Sequence, residues 1–162
     1  MATLSPFMRR MLDIQGYENV TDEDFGQTAK WMKLAIFGCA SLVAIALAIG
    51  SIPMLWMMVA IAGVAGISPV HPLDLIYNYG IRHITGTGNL LRRSGLNRAA
   101  CALATVWLLS AIAPHSAGMM VVYLLLGWSM VGTAYLVGTV DICIPSYTFR
   151  LFIGYPPKRE TA

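Results

Sequence analysis

At 162 residues, 57% of them hydrophobic and only 12% charged, the chain is too apolar for a soluble domain, in which about a quarter of the residues are charged. The composition implies a small integral membrane protein of one domain. Its net charge of +3 points to contact with anionic lipid and not with nucleic acid.

Residues 1–33 read as a cytoplasmic, interfacial preface. They are polar and carry five acids, unlike a cleavable secretory signal. Ser5 and Pro6 supply an N-cap and a first helical residue. Phe7, Met8, Met11 and Leu12 make an apolar stripe beside Arg9 and Arg10, which fits either a short helix lying on the membrane surface or a frayed terminus. Gly16 ends it. Thr21, followed by Asp22, Glu23 and Asp24, reads as a second N-cap with acids that complement the helix dipole. That helix runs on past Trp31 and Lys33, which are expected at the lipid–water interface.

Two uncharged blocks follow, 40 residues from Leu34 to Leu73 and 42 from Ala99 to Val140. A single membrane helix needs about 20 residues to cross roughly 30 Å of hydrocarbon, so each block is a hairpin. The first breaks at Gly50-Ser51-Ile52-Pro53, with Pro53 opening the second helix. The second breaks at Ala113-Pro114-His115-Ser116. Four spans result, near 34–51, 53–70, 99–113 and 117–140, within a membrane domain at 34–154 and ahead of a tail at 155–162. All eleven Lys and Arg fall on one side of this layout, and the positive-inside rule makes that side cytoplasmic. The expected fold is all-α and polytopic: two hairpins in a bacterial inner membrane, both termini inside, and a short interfacial helix in the connector 71–98.

Small residues at Ala40, Ala44 and Ala48, and again at Ser129, Thr133, Ala134 and Gly138, mark helix–helix contacts, because backbones in lipid associate through close approach. Met54, Met57 and Met58 read as adaptable packing. No ionisable residue stands at mid-membrane depth, where transporters handle coupling ions.

The connector carries the polar chemistry. If a helix begins at Pro72, then Asp74, Asn78 and Arg82 share a face at four-residue spacing. Two readings stay open: a small polar site joining His71 or His83 to Asp74 and Cys143, or a surface helix with ordinary caps and one Asp–Arg pair. No tight ligand spacing signals a metal, and no cofactor is expected; His71, His83 and His115 lie at the membrane surface. Arg92, Arg93 and Arg98 are expected to hold lipid phosphates, worth about 1 kcal/mol each.

The second polar passage runs from Asp141 to Gly154. Pro145 can start a short helix through Phe152, which places Cys143 at its positive end, while Asp141 opposes thiolate formation. The alternative is that Cys143 is a small buried apolar residue. Cys39, Cys101 and Cys143 all fall in the cytoplasmic half, a reducing setting that disfavours a structural disulfide.

His71-Pro72-Leu73-Asp74, Tyr77-Asn78-Tyr79-Gly80-Ile81-Arg82-His83 and Cys143-Ile144-Pro145-Ser146 together resemble an uncharacterised bacterial family of small four-helix membrane proteins, a domain of unknown function. The layout is similar, more loosely, to DoxX-like membrane proteins. The resemblance covers roughly residues 34–154 and implies the four-helix fold without an activity. Some relatives carry two nearby cysteines where this chain has Cys143 and Ser146, a departure that weighs against a two-thiol mechanism. The leading functional expectation is a non-catalytic accessory or assembly subunit of a larger respiratory or photosynthetic membrane complex. The alternative is a thiol-redox or sulfur-handling protein that uses Cys143 with His71 and Asp74.

Overall fold

The computed structural model describes residues 5–18, 20–86, 88–140 and 142–157, with side chains omitted at 22–24, 27, 29 and 30. Asp141, the acids of the second N-cap, and the cations Lys30, Lys158 and Arg159 therefore lie outside the described side chains. Every regular element among the described residues is helical: α1 (Pro6–Ile14), α2 (Asp22–Ala48), α3 (Ile52–Ile67), α4 (Pro72–Ile76), a π-helical turn at Tyr77–Ile81, α5 (Arg82–Thr85), α6 (Gly95–Ser116), α7 (Met120–Val140) and α8 (Ile144–Ile153).

The four long helices close a ring in chain order, α2 on α3, α3 on α6, α6 on α7 and α7 back on α2. Their shared core includes Val43, Leu47, Leu55, Met58, Leu108, Ile112 and Val131. Among the described residues three helices are long and apolar enough to cross a membrane: Trp31–Ala48 of α2, α6 and α7. The 16 residues of α3 reach only about 24 Å at 1.5 Å each. It passes as a span only together with Pro72–Thr85, which turns away from it by 86°.

Both hairpin turns are set by a left-handed glycine. At the first, the Ser51 amide donates to Ala46 O at 2.8 Å and the Gly50 amide to Leu47 O at 3.3 Å, with Gly50 at φ 65. The second repeats this pattern one hairpin on. The Met119 amide donates to Pro114 O at 2.9 Å and the Gly118 amide to His115 O at 3.1 Å, with Gly118 at φ 73. This is the double bond that satisfies the last carbonyls of a helix. The second break therefore falls at Ala117–Met119 and not at the expected Pro114, which α6 absorbs in its last turn. α6 also starts earlier than expected, at Gly95, because Ser94 Oγ accepts from the Asn97 amide at 3.1 Å. α3 ends earlier, at Ile67: Ser68 precedes a proline, which disfavours helical backbone, and it is extended at φ −90, ψ 142.

The small-residue contacts are real, with a shifted roster. Ala40 and Gly138 are buried, but Ala48 and Ser129 are exposed. The closest approach of α7 to α2 uses Gly127, where a Cβ would sit 2.6 Å from Leu47 Cδ2, and Gly138, where one would sit 2.8 Å from Phe37 Cζ. Met58 is buried in the core while Met57 is exposed.

One end of the ring carries a cap made of α1, the α4–α5 connector and α8. A second core of Leu12, Tyr17, Phe25, Met32, Tyr77 and Leu90 lies here. It corrects one expectation. Ser5 does cap α1, accepting the Met8 amide at 3.2 Å, and Gly16 does follow its end. Its stripe, however, is covered by protein: Met11, Leu12 and Ile14 are buried and only Phe7 is left exposed. Trp31, at the start of the first apolar span, packs against Tyr77 in a tilted contact at 5.1 Å between ring centroids.

Candidate functional site

The strongest polar interaction in the cap joins α4 to the extended segment ahead of α6. Arg93 Nε donates to Asp74 Oδ2 at 2.8 Å and Arg93 Nη2 to Asp74 Oδ1 at 2.7 Å, with the two side chains 8% and 3% exposed. Arg93 Nη2 also reaches Met32 O at 3.3 Å, and the Arg93 amide donates to Pro69 O at 2.8 Å. Burial works against the guanidinium charge, but the paired carboxylate outweighs it and holds the Arg93 pKa above its ordinary value. Arg93 is thus a buried structural cation and not a lipid-phosphate ligand.

The four-residue face expected for Asp74, Asn78 and Arg82 does not form. A π-helical turn at Tyr77–Ile81 inserts an extra residue per turn and rotates the later positions away. Tyr77 becomes the fully buried residue. Asn78 Oδ1 accepts the Leu90 amide at 3.0 Å, and Arg82 bonds Asn89 Oδ1. Of the arginines expected at lipid phosphates, Arg92 is exposed, while Arg98 turns to the C-terminal carbonyl of α3 at Ile67. His83 is exposed on α5, away from the buried groups.

His71 opens α4 from the N-cap position, ahead of Pro72. Its Nδ1 accepts the Leu73 amide at 3.1 Å, which fixes the neutral ring's proton on Nε2. That nitrogen faces Cys39 Sγ at 3.8 Å. Burial, and then the nearby Arg93 charge, lower the His71 pKa. His71 is therefore neutral at pH 7, and its neighbours are Cys39 and a backbone amide, with Asp74 held by Arg93. The expected His71–Asp74–Cys143 constellation is not assembled.

Cys143 occupies the N-cap of α8, which begins at Ile144 with Pro145 in its first turn. The expected short helix is present. The thiol is buried and makes no capping hydrogen bond. Ser146 is fully buried, and its Oγ has no hydrogen-bond partner among the described residues. No group of three or more His, Cys, Asp or Glu among the described residues is placed to hold a metal.

What does bring these residues together is a cavity. In the half beneath the cap the ring opens into a cavity of about 690 Å³, and a smaller one of about 340 Å³ lies at the hairpin-turn end between α3 and α6, beside Trp56 and His115. The walls of the larger cavity include α2, α6 and α7, Leu12 and Tyr17 border it on the cap side, and Met58 and Leu108 are among its most buried lining residues. Nearly all the lining is apolar. The polar lining groups near the cap include Gln15, Tyr17, Lys33, His71, Arg93 and Asn97, and all three cysteines also line it. Neither Asp74 nor Ser146 does.

No protein-family model, curated protein or solved structure matches the chain. The site therefore stands on its own geometry. A cavity of several hundred Å³ with an apolar wall and a few converging polar groups is the usual form of a small-molecule site.

Within this cap α1 and α8 are tied together, which sequence reasoning missed. Arg150 of α8 donates to Ile14 O and Asp13 O, both at 3.0 Å, and pairs with Glu18. Arg10 of α1 donates to Pro156 O at 2.8 Å. These are mostly bonds to backbone carbonyls more than 130 residues distant, and such acceptors leave no mark in a residue pattern.

Proposed function

We propose that the chain is a four-span protein of a bacterial cytoplasmic membrane that receives the apolar chain of a membrane-resident ligand between its helices and does no chemistry on it. Such a part suits an accessory or assembly subunit of a larger inner-membrane complex. Kinship with the small four-helix family belongs to the same proposal. The observation that carries it is the cavity of about 690 Å³ beneath the cap, lined by α2, α6 and α7.

Several features support the topology. All eleven Lys and Arg fall before Leu34, between Leu73 and Ala99, or after Val140 in the sequence, so the cap side is the cytoplasmic side under the positive-inside rule. Four antiparallel helices in a ring call for an even number of crossings. A short α3 is tolerated where the bilayer thins or a neighbouring helix covers its ends. The connector Pro72–Thr85, bent 86° from α3, then lies in the plane of the membrane, with Ile76, Tyr79 and Ile84 exposed. Gentle solubilisation followed by native mass spectrometry tests the functional part. A hydrophobic molecule and companion chains are expected to co-purify. A bare monomer under several mild detergents would sink the reading.

A second reading, thiol-redox or sulfur chemistry, is favoured by one observation: Cys39, Cys101 and Cys143, far apart in sequence, line one cavity. It requires Cys143 to react with a soluble alkylating reagent from the cytoplasmic side faster than the other two. A Cys143→Ser chain indistinguishable from wild type in labelling and ligand retention ends it.

A further inference from the structure

We propose that the cavity takes a single-chain, electrically neutral lipid whose head accepts hydrogen bonds, with its tail toward Met58 and Leu108 and its head toward Tyr17 and His71. This rests on the reading of the cavity as a site for an apolar chain, and adds the chemistry of the head.

The charges along the lining are already committed. Arg93 gives both nitrogens of its fork to the two oxygens of Asp74. Lys33 is not free. His71 is uncharged, with Nδ1 occupied by the Leu73 amide. Among the described residues, a phosphate or carboxylate head entering here would meet Arg93 already paired with Asp74 and Lys33 already engaged, so its desolvation is a heavy penalty in an apolar site. An ammonium head gains nothing from Asp74, whose carboxylate belongs to Arg93.

Hydrogen-bond donors, by contrast, remain. Tyr17 Oη accepts from Asn97 Nδ2 at 2.8 Å, which leaves its own hydroxyl proton to give. His71 Nε2–H has only the Cys39 sulfur within reach, at 3.8 Å, and a thiol sulfur is a weak acceptor. Two uncommitted donors without a free charge, at the mouth of an apolar cavity, complement an ester or carbonyl head. A cavity of about 690 Å³ has the capacity of one drug-sized molecule, hence one chain.

The protein carries its own reporters. Of its four tryptophans, Trp31 and Trp107 line the cavity, whereas Trp56 and Trp128 are exposed outside it. In full-length protein with Trp56→Phe and Trp128→Phe, held in nanodiscs, a monoacylglycerol with a brominated chain is titrated against lysophosphatidic acid with the same chain. Saturable quenching by the monoacylglycerol at about tenfold lower concentration than by the anionic lipid is expected, a ratio equal to about 1.4 kcal/mol. Tyr17→Phe reduces that preference while quenching persists, and Ala104→Phe, which fills the cavity, removes the saturable part. Ala134→Leu, on the α7 wall, serves the same end should Ala104→Phe not fold. Equal or stronger binding of lysophosphatidic acid overturns the neutral-head assignment and leaves the apolar site standing. Absence of saturable quenching by either lipid overturns both.

Discussion

Asp74 and Arg93, 19 residues apart, meet in a two-point ion pair from which water is nearly excluded, at 2.7 and 2.8 Å. The pair ties the connector helix to the segment that leads into α6. It also takes the Asp74 carboxylate out of play for His71.

Removing one member of that pair strands the other in a buried site. Asp74→Asn or Arg93→Met alone should destabilise the fold by about 3–5 kcal/mol, and the double substitution by much less. Thermal unfolding of the three variants in one detergent measures this. Equal losses in the single and double variants would show that the pair does not act as a unit.

His71 makes stability depend on pH. Its folded pKa is lowered by burial and by Arg93, so the unfolded chain binds more protons between the folded value and the ordinary value of about 6.5. The His71 contribution is full above about pH 6.5 and is lost as pH falls through the folded value. His71→Asn, whose side chain can still accept the Leu73 amide, should flatten the fall in melting temperature on acidification. Identical pH profiles for the two proteins would rule this out.

The approach of α7 to α2 leaves no space at Gly127. Gly127→Ala should cost about 1–3 kcal/mol through overpacking against Leu47, whose Cδ2 lies 2.6 Å from the added carbon. Gly132→Ala on the same helix meets nothing within 4 Å and should stabilise by up to about 1 kcal/mol through helix propensity. Denaturation of both variants in parallel separates contact from propensity.

Arg150 holds the end of α1 through two carbonyl bonds at 3.0 Å and through Glu18. Arg150→Ala should speed amide exchange across Pro6–Ile14 while leaving α2 and α7 unchanged. Hydrogen-exchange mass spectrometry reads both regions in one experiment.

The sequence alone determines the membrane class, the helical content and three apolar helices, because these follow from local composition and length. It also places the α1 cap at Ser5–Pro6 and the start of α8 beside Pro145, since proline and side-chain caps act within one turn. The second hairpin break was legible too, but in Gly118 and not in Pro114: a left-handed residue stops a helix, whereas a proline in the last turn loses little. Only the tertiary structure decides the partners of the cap. Asp74 chooses Arg93 over Arg82 because a π-helical turn rotates Arg82 away. Cys39, Cys101 and Cys143, more than 40 residues from one another along the chain, come to line one cavity because the space between α2 and α6 reaches α8 of the cap. Ion pairing and cavity lining depend on distances between elements, and residue spacing within one element carries no record of them.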